Sequence, residues 1–166
     1  MPIRNYDPRR GQAFQGDIAI IPLPADIDID TAEEIEPVEG RLIIQRGEAT
    51  GHHHVIELGR RRVRYFRQPP RMAPDTGMRD THLRRAFGGG RVHGTARLYR
   101  DWIAILDLGQ RGILTRTDLA IGCLIVEGGS VVVSHEEHDG IRLPPGNYYL
   151  GRQAEKFGDE ERVVLD

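Results

Sequence analysis

Leu119-Ala120-Ile121-Gly122-Cys123-Leu124-Ile125-Val126 is followed by Val131-Val132-Val133, Ile141-Arg142-Leu143 and Asn147-Tyr148-Tyr149-Leu150. Gly128-Gly129, Asp139-Gly140 and Pro144-Pro145-Gly146 separate these runs. Short segments rich in β-branched and aromatic residues, bounded by glycine and proline, read as strands. Asp139-Gly140 is a two-residue turn signal between residues 131–138 and Ile141-Arg142-Leu143. From Asn147 to Gln153, Tyr148, Leu150 and Arg152 alternate with Tyr149 and Gly151, the period of a strand.

The same pattern extends upstream. Ile18-Ala19-Ile20-Ile21-Pro22-Leu23 reads as a strand with Pro22 near an edge or end. Arg41 to Gln45, His52 to Leu58 and Arg61 to Phe66 follow. Strand signal returns from Ala96 to Leu108, including Trp102-Ile103-Ala104-Ile105-Leu106, and again at Arg162-Val163-Val164-Leu165. Nine or ten short strands with little helix predict an all-β fold, a single-domain sandwich or barrel over residues 1–166. Residues 1–15 read as an irregular N-terminal arm and residues 24–40 as an acidic loop, with Thr31 opening one helical turn. Residues 68–95, rich in Gly, Pro and Arg, read as a long loop or lid with a short helix over 80–87.

Composition narrows the function classes. The chain has 166 residues with a net charge of −2, 39% apolar and 29% charged residues, which is ordinary globular composition. No apolar run approaches a membrane span and no signal-type segment opens the chain, so a cytoplasmic location is expected. The single Cys123 excludes an internal disulfide and sits in an apolar run, as a buried thiol does. Phosphate-loop and Gly-x-Ser-x-Gly patterns are absent.

Charge is unevenly spread. Residues 26–39 hold seven acids and no base, and residues 60–100 hold twelve arginines. Arg60-Arg61-Arg62-Val63-Arg64-Tyr65-Phe66-Arg67 has the makings of a nucleic-acid strand, but a pI near 6.4 argues against a dedicated nucleic-acid domain. The opposed charged loops instead suit contact with a protein partner or a sister subunit, so a homo-oligomer is expected.

The histidines carry the chemical signal. His52-His53-His54 places His52 and His54 on one face of a strand. His135-Glu136-Glu137-His138 places its two histidines on opposite faces of a flat strand, unless a bend at Glu136-Glu137 turns both inward. Neutral imidazole ligates divalent transition metals. His52, His54, His135 and His138 are therefore candidate ligands for zinc, iron, nickel or manganese. Glu48 and Glu137 are candidate carboxylates for ligation or general-base catalysis. Glu57 has the wrong parity for the His52 and His54 face. In the competing reading the histidines are solvated at strand ends.

Gly47, His52-x-His54, Glu57 and Pro144-Pro145-Gly146 together resemble the two motifs of the cupin superfamily. The resemblance implies a double-stranded β-helix and a mononuclear metal site. Two spacings are one residue short, and Tyr149 stands where the family's third histidine would fall. The chain also resembles an uncharacterised group of bacterial proteins through Gln15-Gly16-Asp17, Arg46-Gly47-Glu48-x-Thr50-Gly51-His52-x-His54 and His135-Glu136-x-His138. The expected function is that of a cupin-like metal-binding protein, as a small metalloenzyme with a His-rich pocket for a small-molecule ligand. The alternatives are a non-enzymatic assembly subunit and a nucleic-acid-binding β module.

Overall fold

A computed structural model describes residues 1–46, 52–58, 94–157 and 160–163, with side chains through Gln153. Its strands are β1 (Ile3–Asn5), β2 (Ala13–Gln15), β3 (Ile18–Pro22), β4 (Glu34–Ile35), β5 (Arg41–Arg46), β6 (His53–Glu57) and β7 (Thr95–Tyr99). One helix, α1 (Trp102–Gln110), comes next. The chain continues through β8 (Ala120–Glu127), β9 (Val131–Ser134), β10 (Gly140–Leu143), β11 (Gly146–Arg152), β12 (Ala154–Phe157) and β13 (Glu160–Val163).

Two sheets face each other. The first has the order β1-β10-β9-β6-β5 and the second β2-β3-β11-β8-β7-β4, with β12-β13 as a separate ribbon. The all-β sandwich expected from the strand pattern is present. The pairs β5–β6, β7–β8 and β9–β10 each lie within one sheet, so the chain completes a strand pair before it crosses to the other layer.

The two sheets bury one core between them. Ile18, Ile20, Leu124, Val126, Tyr148 and Leu150 of the second sheet meet Leu42, Ile56, Val131, Val133, Ile141 and Leu143 of the first. Alternation along each strand sends the other residues outward. On β8, Leu124 enters this core, whereas Cys123 points to a second cluster beneath α1 with Ala104, Ile105, Leu108, Leu114, Tyr149 and Ile27. Burial pushes both the Cys123 thiol and the Tyr149 phenol up to about 12. Cys123 is thus an inert apolar filler.

Four local expectations are corrected. Trp102 to Leu108 is helix, not strand: Asp101 caps it by accepting from Ala104 N at 3.0 Å, and Ala104, Ile105 and Leu108 share the buried side. Residues 1–15 are not an irregular arm, because β1 pairs in parallel with β10 and β2 pairs with β3. Thr31 opens no helical turn; Asp30 Oδ1 accepts from Ala32 N at 3.0 Å, and the chain goes straight into β4. Asp139-Gly140 is not a two-residue turn, since β9 ends at Ser134 and β10 begins at Gly140, leaving residues 135–139 as the connection. Within the 24–40 segment Ile27 is buried against α1. The expected strand over Arg61–Phe66, the helix over 80–87 and nearly all of the 68–95 loop lie outside the described residues.

Asp101 is itself buried and also accepts from Asp30 N at 2.7 Å. Asp101→Ala removes the helix cap and this second bond together. A loss of about 1–2 kcal/mol is expected, read as a lower midpoint in urea unfolding with an unchanged slope.

Candidate functional site: a histidine cluster at one end of the sandwich

The site is assembled from both sheets. Gln15 ends β2 and Asp17 precedes β3, across a turn in which Gly16 takes φ 54°. Glycine at the first central position with positive φ is what a type II′ hairpin needs. Gln153 N donates to Asp17 O at 2.6 Å and Gln153 Nε2 to Gly16 O at 2.8 Å, fixing this turn against the end of β11.

On the facing sheet, β5 carries a bulge. The ladder with β6 runs Leu42↔Ile56 and Ile43↔Val55, then jumps to Gln45↔His54. Ile44 is the extra residue and stays buried. The bulge re-aims the strand so that Gln45 shares a face with His54. Gln45 Nε2 donates to Asp17 Oδ2.

His54 is almost fully buried at 1% exposure. Gln15 Nε2 donates to the carbonyl oxygens of Val133 (3.1 Å) and Asp139 (2.8 Å). That fixes the amide and turns Gln15 Oε1 toward His54 Nδ1 at 3.2 Å. An amide oxygen only accepts, so Nδ1 carries a proton. On the other side, His54 Nε2 lies 2.7 Å from Asp17 Oδ1, also buried at 1% exposure. Whichever of the two shares the second proton, the pair is neutral overall, which is how an acid and a base are kept in a dry interior.

The other histidines gather above this pair. The 135–139 connection bends after β9, so His135 and His138 both come to the cluster and the parity conflict of a flat strand disappears. The His135 ring stacks on His54 at 4.2 Å between centroids and on His138 at 4.7 Å. Glu137 N donates to His135 Nδ1 at 3.2 Å, which holds His135 as a neutral ring with its proton on Nε2. His52 meets His135 edge-on at 5.9 Å, with its Nε2 3.2 Å from Glu136 and its Nδ1 3.3 Å from Glu137.

All four sequence-predicted histidines therefore meet in space. Glu137 sits beside them, and Glu48 lies outside the described residues. Glu57 is on the outer face of β6, bound to Arg41 at 2.9 Å. Tyr149, at the position of the cupin third ligand, belongs to the core under α1. Sequence reasoning left Asp17, Gln15 and Gln45 out of the site. Gln15-Gly16-Asp17 was visible as a motif, but nothing local reports its burial beneath a histidine 37 positions onward.

Among the described residues, no group of three or more His, Cys, Asp or Glu is arranged to hold a metal ion. The residue types suit one, whereas both nitrogens of His54, Nδ1 of His135 and both nitrogens of His52 are turned to other partners. Among the same residues no helix is long and apolar enough to cross a membrane.

A family profile described as Domain of unknown function (DUF8820) matches residues 14–86. This stretch contains Gln15, Asp17, Gln45, His52 and His54 and ends before His135 and His138. No curated protein and no solved structure matches the chain. The similarity to known proteins is thus to an uncharacterised family, over the segment that supplies the buried half of the site.

Proposed function

We propose that the histidine cluster binds a divalent transition metal ion, with His52, His135 and His138 as imidazole donors and Glu136 or Glu137 as carboxylate donor. The observation that carries this reading is the stack of His54, His135 and His138, with His135 held neutral inside it. A neutral imidazole with further histidine rings crowded around it is the ligand chemistry of zinc, iron, nickel and manganese. The cupin-like His52-x-His54 motif supports the same reading.

His54, the fourth expected donor, faces Gln15 and Asp17 with its two nitrogens. In this reading it is the wall on which His135 leans. Taking up an ion requires the His135 ring to turn and exchange its bond from Glu137 N for the metal. The 135–139 connection is a bend rather than a ladder strand, so the turn breaks no sheet pairing. Bound there, an ion would supply Lewis acidity for a small-molecule ligand.

Thermal unfolding with and without added zinc tests the proposal. A ligand at 100 times its Kd stabilises by about 2.7 kcal/mol, which is roughly 5–11 °C for a domain of this size. The rise is expected in wild type and in His53→Ala, whose ring lies on the outer face of β6. It is expected to vanish in His135→Ala/His138→Ala. An equal rise in that double variant overturns the assignment.

The two nitrogens of His54, one on Gln15 Oε1 and the other against Asp17 Oδ1, favour a second reading for that residue alone, as a structural polar link between the sheets. Its consequences for stability separate it from the metal reading.

A further inference from the structure

The outer face of the second sheet carries a trough beyond the end of α1. Phe14, Ala19, Gly151 and Ala120 are register partners across β2, β3, β11 and β8. Register partners share a face, so three small residues lie in a row and leave the sheet surface low. Ile113, Leu114 and Leu119, from the connection between α1 and β8, line the space above it. The result is a cleft of about 430 Å³, a volume typical of small-molecule sites. Phe14 is 42% exposed and Ile113 38%, so its rim is apolar as well.

Tyr149 also lines the cleft, and only 3% of the residue is exposed. Its hydroxyl reaches over Gly151, where a Cβ would collide with it. Among the described residues that hydroxyl has no hydrogen-bond partner, although a buried phenol normally finds one. With its phenol pushed up to about 12 by burial, Tyr149 keeps its proton at neutral pH and is a donor. The two arginines of the lining are engaged within the chain. Asp118 accepts from Arg116 Nε at 2.7 Å and from Nη2 at 2.6 Å, and Arg152 has its own partner.

We infer that this cleft binds an uncharged, largely apolar small molecule through one hydrogen-bond acceptor, a carbonyl oxygen, placed on the Tyr149 hydroxyl. The apolar walls take the body of the molecule, and the phenol fixes its orientation. A buried hydroxyl without a partner costs free energy, which an incoming acceptor recovers. A charged head group is disfavoured, because both guanidiniums of the lining already have partners and the rest of the cleft is neutral. None of the four clustered histidines lines the cleft, so its occupancy does not depend on what they bind.

Titration of the full chain with acetophenone, isopropylbenzene and benzoate, followed by amide NMR shifts, tests the inference. Acetophenone is expected to shift the amides of Ala19, Leu114 and Leu119. Isopropylbenzene puts a methyl group where the ketone oxygen stands, and should bind roughly three- to tenfold more weakly, the worth of one hydrogen bond. Benzoate should bind no better than isopropylbenzene. Tyr149→Phe should fold as wild type, because the hydroxyl bonds to no protein group, and should bind the two neutral probes equally. Ala19→Leu raises the floor of the cleft and should abolish the shifts with circular dichroism unchanged. No acetophenone shift in wild type overturns the proposal. Equal binding of the two neutral probes in wild type, tighter binding of benzoate, or an acetophenone preference that survives Tyr149→Phe overturns it as well.

Discussion

Asp17→Ala is expected to destabilise the fold by about 3–5 kcal/mol, the range for removing one partner of a buried pair. The side chain touches nothing it could lose without consequence. Its carboxyl receives Gln45 on one oxygen and faces His54 Nε2 on the other, all at the dry junction of the two sheets. Alanine leaves His54 buried with Gln15 on one nitrogen and an apolar methyl where the carboxyl stood. For a domain of this size the loss corresponds to a fall of roughly 6–20 °C in Tm. Asp17→Asn keeps a polar group in place and should cost less. Because the two residues share one interaction, Asp17→Ala/His54→Ala should cost clearly less than the sum of the single variants. Urea unfolding followed by circular dichroism reads all three. A cost under 1 kcal/mol for Asp17→Ala would show that the pair does not join the sheets.

Leu124→Ala is the second large effect, with an expected cost of about 2–5 kcal/mol. Leu124 is fully buried on β8, between Leu98 of β7 and Tyr148 of β11 in the ladder, and reaches across to the first sheet. Truncation removes its transfer energy and leaves a cavity that paired backbones on both sides cannot close. Ile103→Ala on the exposed side of α1 should stay within about 0.5 kcal/mol. The contrast, measured in the same unfolding series, separates the core of the sandwich from the exposed side of α1.

The strand pattern was legible wherever glycine and proline punctuated short aliphatic runs. β3, β5, β6 and β8–β11 all fall on segments read that way. The α1 segment was misread because Trp102-Ile103-Ala104-Ile105-Leu106 carries no polar face to betray a helical period. Its outer residues are apolar too. The one local cue was Asp101 at the cap position. β1 escaped notice for a different reason: its pairing partner β10 lies more than 130 residues away, and a three-residue exposed strand has no periodicity of its own.

The site was legible in part. Two histidine clusters stood out by composition, and the bend over 135–139 settles how a spacing of three can converge. The carboxamides and the buried carboxylate beneath them were not legible. Gln15, Asp17 and Gln45 are ordinary polar residues at strand ends, and only the meeting of two sheets, with a bulge at Ile44, makes them one polar network. Burial of a polar side chain is a tertiary fact that no local pattern encodes.

Elemental analysis of tag-free protein loaded with zinc, iron, nickel or manganese and dialysed tests the proposed metal site. About one ion per chain is expected in wild type and in His53→Ala, and none in His135→Ala/His138→Ala of intact fold. No retained metal in wild type, or one ion per chain in all three proteins, would contradict it.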